Sequence, residues 1–225
     1  MRPPRKIRVQ SGPEKLLPLL LVVIIIAVYF AFKSLPHGEE PKPAPTVLKA
    51  VKVIDGDTFV ASNGETIRLL GLDTPEAGQP YYNEATSMLI EMLDTNEIRL
   101  EYDYRKRDKY NRLLAYVFTA EQFVNSTLIK SGMASVYIFP SSMKNFEYQQ
   151  MFIEDQREAR QNKLGIWSIP DPQPESFYIG NSRTFRFHRP SCSSVMRLDS
   201  NYRLELQSRE EFLDLGYSPC RNCNP

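Results

Sequence analysis

Cysteine is missing from the first 191 residues of this 225-residue chain, and the three that exist, Cys192, Cys220 and Cys223, crowd into the last 34. Three is too few, and too odd a number, for a disulfide framework, so they read as one local site. An excess of charge is missing as well. The 28 Lys+Arg and 27 Asp+Glu leave a net charge of +1, so no global positive field gathers a polyanion, and any nucleic-acid binding must come from a local arrangement. No internal repeat is visible. What is present, 42% hydrophobic and 24% charged residues, is the composition of a globular protein and excludes wholesale disorder.

The average charge hides a gradient. Residues 1–46 carry seven basic and three acidic groups, residues 47–167 fourteen and seventeen, and residues 176–225 seven and five. From Leu16 to Phe32 the chain reads LLPLLLVVIIIAVYFAF without a charge, after a basic tail over residues 1–15 that holds Arg2, Arg5, Lys6, Arg8 and Lys15. Seventeen residues are near the lower limit for crossing a hydrocarbon core about 30 Å thick. No small-x-small site follows the run, which favours an uncleaved transmembrane anchor; secretion after signal cleavage is the rival reading. The basic flank places the N-terminus in the cytoplasm and everything after Lys33 outside. Residues 33–46 have Pro36, Pro41, Pro43 and Pro45 and form an extended spacer. A second break, residues 169–175 with Pro170, Pro172 and Pro174, delimits two folded units, 47–168 and 176–225.

The first unit opens with a strand meander. Val51 and Val53, then Phe59 and Val60, bracket a DGD corner, and Asn63-Gly64 is a two-residue hairpin signal. Ala85, Met88, Leu89, Met92 and Leu93 recur at helical spacing, predicting a helix over Tyr82 to Leu93. EIRLEYD and RLLAYVFT read as two further strands, with helices over about 121–130 and 144–162. Strands first, then helices, argue for a small β-barrel with packed helices.

Asp57 and Asp73 end strands joined through one hairpin, so their carboxylates can converge at one end of the sheet. Hard oxygen ligands of this kind suit Ca²⁺ or Mg²⁺. Glu76 follows in the DTPEA turn, where a carboxylate beside the metal could take a proton from attacking water. Arg68 alternates with Ile67 and Leu69, and Arg112 follows the basic run RKRDKYNR. Two guanidinium groups can bind one phosphate and stabilise the charge that grows on it.

The ordered motifs D-G-D-T, R-L-L-x-x-D-T-P-E, D-K-Y-x-R-x-L-A-Y and L-G-I-W resemble the staphylococcal nuclease (thermonuclease) family over about residues 48–168. The resemblance implies a five-stranded OB-fold barrel with helices that hydrolyses phosphodiesters of DNA and RNA with Ca²⁺, cutting the 5′ P–O bond to leave 3′-phosphates. By motif position it implies Asp57 and Asp73 as metal carboxylates, Thr74 as a backbone carbonyl ligand and Asp55 as an outer-shell acid. Glu76 matches the general base, Arg68 and Arg112 the phosphate-binding arginines, and Lys109 and Tyr110 the contacts to a terminal phosphate. Asn111 stands where the family has Gly, and the tyrosine-rich segment is shortened, leaving Tyr137 as the candidate base contact. The net charge of −3 over residues 47–167, from the counts above, is unlike a strongly basic nuclease and bears on substrate affinity rather than chemistry. A noncatalytic nucleic-acid-binding protein is the alternative, but every motif position is filled.

In the second unit His188, Cys192, Cys220 and Cys223 stand as H-x3-C-x27-C-x2-C. Two close pairs of such ligands fit a closed tetrahedral Zn²⁺ site, which a small α+β unit with so modest a core would need. The rival is a Cys220–Cys223 disulfide with one free thiol. The segment resembles the zinc-binding domain of the Ada DNA-repair protein. His188 stands at that family's methyl-accepting Cys, so methyl transfer is not expected. Arg183, Arg186, Arg189 and Arg197 are candidate phosphate contacts of this unit.

Overall fold

The computed structural model describes residues 48–94, 97–141, 143–171 and 173–225, all of which belong to one compact unit. The expected anchor at 16–32 and spacer at 33–46 lie outside the described residues; among these, no helix is long and apolar enough to cross a membrane. The chain begins with strands β1 (Ala50–Asp55), β2 (Thr58–Ala61), β3 (Thr66–Leu69) and β4 (Leu72–Asp73), then helix α1 (Tyr82–Leu93). Strands β5 (Arg99–Glu101) and β6 (Leu113–Phe118), helix α2 (Val124–Lys130), strand β7 (Ser135–Val136) and helix α3 (Phe146–Gln161) follow.

Five strands form the main sheet in the order β1-β2-β3-β6-β5, with β3 and β6 parallel and the other neighbours antiparallel. Leu48, ahead of β1, and Ile98, ahead of β5, bridge the two edges, the Ile98 amide donating to the Leu48 carbonyl at 2.8 Å. The sheet thereby closes into an OB-like barrel, removing the open edges that a flat sheet would leave. Alternation explains the pleat: Phe59, Ile67 and Leu69 are buried inside it, while Arg68 between them points the other way.

The helix over Tyr82–Leu93 matches the sequence reading residue for residue, with Ala85, Leu89, Met92 and Leu93 buried. Helix α2 begins later than its pattern suggested, at Val124, because Phe123 is held in extended conformation by a bridge to Phe118 and stacks on it at 4.2 Å. Asn125 is wholly buried yet satisfied: its side chain accepts from the Val117 amide and donates to the Leu70 carbonyl, each at 2.8 Å, pinning α2 to the barrel. Helix α3 is capped by Asn145, which accepts from the Tyr148 amide at 3.2 Å. Gly165, in a 3₁₀ turn (Gly165–Ser168), has φ +49°, and a Cβ there would lie 2.1 Å from the Gly132 carbonyl oxygen. Only glycine permits this backbone-on-backbone approach, which brings Trp167 to the barrel's flank.

The C-terminal segment adds β8 (Tyr178–Asn181), β9 (Arg186–His188), β10 (Arg203–Leu206), helix α4 (Arg209–Asp214) and β11 (Ser218–Pro219), in a sheet ordered β10-β8-β9-β11. It has its own small clusters, one around Phe187 and Phe212, another around Ile179, Cys192 and Cys220. It also rests on the barrel. The Ser218 hydroxyl donates to the Val136 carbonyl at 2.9 Å, Gln156 Nε2 donates to the Leu213 carbonyl at 3.4 Å, and the backbone of Gly216 comes against Ile138 and Ile153 so closely that a Cβ would lie 2.7 Å from the nearer.

Candidate active site and metal centre

Asp57 sits in the corner between β1 and β2. The Asp57 amide donates to Asp55 Oδ1 at 3.1 Å, so Asp55 fixes the corner from behind. A Cβ on Gly56 would fall 2.8 Å from Ala85 Cβ and 2.9 Å from Thr74 Oγ1; glycine is what lets the turn carrying Thr74 close over the corner. There the Thr74 hydroxyl and amide donate to Asp57 Oδ2 at 3.2 and 3.3 Å, and the Thr58 hydroxyl donates to Oδ1 at 2.8 Å. Burial pushes the Asp57 carboxyl up from the ordinary carboxylate range, with Arg68 pulling it down and Asp55 adding to the rise.

Arg68 gathers the two acids. Its Nε lies 2.9 Å from Asp57 Oδ1 and its Nη2 3.0 Å from Asp73 Oδ1, while Nη2 also donates to the Leu72 carbonyl at 3.0 Å and Nη1 to that of Leu69. Asp73 is placed by β4, whose pairing sets it opposite Ser135 of β7. Asp57, Asp73 and Thr74 thus form a cluster of hard oxygens on one side of a fixed guanidinium, a donor set that fits a divalent cation such as Ca²⁺.

Arg112 approaches from the neighbouring strand. Its Nε is 2.8 Å from Asp108 Oδ2, and its Nη1 donates to Thr58 Oγ1 at 3.4 Å, the same hydroxyl that donates to Asp57. Burial works against ionisation of Asp108, but the Arg112 side chain and the amides of Arg112 and Tyr110 outweigh it and hold the carboxyl below its usual range. Asn111, where glycine was expected, has φ +66°; it keeps the left-handed turn because asparagine tolerates that region better than other non-glycine residues. Lys109 lies 4.8 Å and Arg112 5.5 Å from the Tyr110 ring, which projects into solvent. Tyr137 stands apart from this group: one face is covered by Arg186 at 3.9 Å and its edge meets Phe139.

Glu76 is exposed, and its partner was not foreseen. Arg221 Nη1 lies 2.7 Å from Glu76 Oε1, and Arg221 Nη2 lies 2.6 and 2.8 Å from the two oxygens of Asp73. The only sequence signal for Arg221 was its place between Cys220 and Cys223, which speaks of a metal loop and not of a carboxylate 148 residues earlier.

His188, Cys192, Cys220 and Cys223 do come together, with one ligand atom from each lying within 4.8 Å of all the others. All three cysteines are free, so the disulfide alternative is not what this structure has. His188 Nδ1 is buried with no hydrogen-bond partner among the described residues, and burial, reinforced by Arg186, pulls the imidazole below its ordinary value and favours the neutral ring. An orphaned ring nitrogen beside three thiols is a donor set that fits Zn²⁺. Of the tail arginines read as phosphate contacts, Arg189 is instead buried and structural, bonding Asp171 and the carbonyls of Gln173, Cys223 and Asn224.

The barrel, the carboxylate cluster and the two arginines together have the form of a phosphodiesterase. Residues 66–169 match the family described as staphylococcal nuclease homologue. The thermonuclease of Staphylococcus hyicus is 30% identical over 164 residues, covering 68% of this chain and 95% of that protein. The thermonuclease of Staphylococcus intermedius is 33% identical over 164 residues, covering 66% and 94%. Endonuclease YncB of Bacillus subtilis is 39% identical over 144 residues, covering 59% and 66%. The chain belongs to the staphylococcal nuclease family.

Proposed function

We propose that this hydrolytic nuclease cleaves phosphodiester bonds of DNA and RNA with Ca²⁺ bound by Asp57, Asp73 and the Thr74 carbonyl, and that Zn²⁺ on His188, Cys192, Cys220 and Cys223 holds its C-terminal segment. The observation that carries the reading is the convergence of Asp57 and Asp73 on Arg68, with Arg112 linked to the same corner through Thr58. Bound Ca²⁺ would supply Lewis-acid polarisation of a phosphate oxygen. Arg68 and Arg112 are the groups to meet the equatorial oxygens where charge grows; Arg68, whose donors go to Asp57, Asp73 and the carbonyls of Leu69 and Leu72, exchanges some of those bonds for phosphate oxygens. Glu76 accepts the proton of the attacking water. Lys109 and Tyr110 flank the phosphate end of the nucleotide, and Asp55 keeps the Asp57 corner rigid.

Location belongs to the same proposal: residues 16–32 anchor the chain, and the folded part works outside the cytoplasm, where Ca²⁺ is plentiful. Basic residues ahead of the apolar run support that orientation. With DNA and RNA substrates, the full-length protein is expected to cleave in Ca²⁺, stop in EGTA and recover on addition of Ca²⁺ but not of Zn²⁺. Glu76→Gln should lower turnover by about 10²- to 10⁴-fold with its fold intact. Undiminished cleavage in EGTA removes the metal mechanism, and normal turnover of the Gln variant removes the base.

A further inference from the structure

A cleft of about 580 Å³ runs from the active-site carboxylates along the seam between barrel and C-terminal segment. Its lining includes Asp73, Thr74 and Glu76, with Arg221 bonded to both acids, and Trp167, Asp171, Arg186 and Arg209. Its charges do not balance. Asp73 and Glu76 are paired with Arg221, and Asp73 also with Arg68; Asp171 is paired with Arg189 at 2.8 Å. Each side-chain carboxylate of the lining therefore already has a guanidinium. Arg186 has a backbone carbonyl and the Tyr137 ring but, among the described residues, no acid. Arg209 has less: it lies 5.8 Å from the Trp167 ring, and among the described residues its guanidinium has no acceptor.

Arg209 Nε is buried without a hydrogen-bond partner, and so is Trp167 Nε1, on the ring that Arg209 overlies. Burial outweighs the more distant acids Asp171 and Glu210 and pulls the guanidinium below the ordinary arginine range. A desolvated cation with no acceptor among the described residues is a standing cost to the fold, and a guanidinium in the lining of a cleft favours an acceptor that carries negative charge.

We propose that this cleft is a nucleic-acid subsite in which Arg209 binds a backbone phosphate of the strand that runs on to the catalytic carboxylates. The inference rests on the nuclease reading. Continuity with Asp73 and Glu76 in one cavity is what selects a substrate strand over a separate small anion. Residues 66–169 match the family, so Arg209 and the far wall of the cleft lie beyond the matched part of the chain. The subsite is an extension of the groove by the added segment.

The test uses the full-length protein with Zn²⁺ retained and no added Ca²⁺, and follows binding of a single-stranded oligodeoxynucleotide by fluorescence anisotropy across a salt series. Arg209→Met should weaken binding about tenfold, as expected for one charge-assisted hydrogen bond, and should flatten the salt dependence by about 0.7 in log–log slope, the share of one phosphate contact. Its melting temperature should stay the same or rise, because an uncompensated buried charge has been removed; a merely structural arginine would do the reverse. Arg209→Lys should keep the wild-type salt slope. Unchanged affinity and slope in Arg209→Met, in a protein whose wild type cleaves with Ca²⁺, overturn the subsite alone and leave the nuclease. A wild type that neither binds nor cleaves the oligonucleotide overturns the nuclease reading, and the subsite with it.

Discussion

The barrel and the C-terminal segment hold their functional residues by different means. Among the described residues, twenty-three buried hydrophobic residues form the barrel's cluster, whereas the segment has clusters of five and four. Hydrophobic burial at that scale fixes a carboxylate corner by itself, since Asp57, Thr74 and Arg68 are all braced from a packed sheet. A cluster of four or five does not, and its second cluster contains two of the proposed metal ligands, Cys192 and Cys220. The lesson is that the larger part is organised by apolar area and braces a carboxylate corner, while the smaller part is organised around a His/Cys cluster that could hold a metal and positions arginines.

The contrast can be broken most forcefully at the proposed zinc site. For a structural Zn²⁺, binding free energy of roughly 10 kcal/mol or more is folding free energy, so Cys220→Ala should lose about one Zn²⁺ per chain and the hydrogen-exchange protection of residues 176–225. Amides of the barrel should remain protected. Full protection of the tail in that variant would show that it stands on packing after all.

A smaller effect is expected from the opposite side. Phe152 is fully buried, touches Gly71 and stands among Tyr116, Phe123 and Tyr148. Phe152→Ala should cost about 3–5 kcal/mol in chemical denaturation with the zinc content unchanged. Loss of zinc together with barrel stability would mean that the two parts fold as one.

The smallest effect concerns the turn before Arg112. Asn111 has φ +66°, where a β-branched residue costs about 1–2 kcal/mol. Asn111→Val should lower stability by that amount, and Asn111→Gly should be nearly neutral. Equal stability of the Val variant would show that the turn can re-form without the left-handed residue.

What the sequence made legible was local. Ala85, Met88, Leu89, Met92 and Leu93 announce α1 because helical spacing is written within one segment. The D-G-D-T and D-T-P-E motifs announce the carboxylate corner because strand, corner and turn lie within about twenty residues of one another. Arg221 and Arg209 were not legible in this role. Their place is set by Gly216 against Ile138 and Ile153 and by Ser218 on Val136, contacts between distant segments that leave no period or spacing behind. Tyr137 was read as a base contact from its neighbourhood in the chain, but which ring face is open depends on Arg186, another distant residue.

Arg221 gives the molecule a thermodynamic property that neither part has alone. Its guanidinium holds both oxygens of Asp73 and one of Glu76, so a cation that takes Asp73 must do so at the expense of a contact that ties the C-terminal segment to the barrel. Linkage makes the exchange reciprocal. Whatever free energy the docked segment takes away from cation binding, cation binding takes away from docking by the same amount. The proposed cation's binding and the docking of the tail therefore share one coupling free energy, readable from either end of the pair.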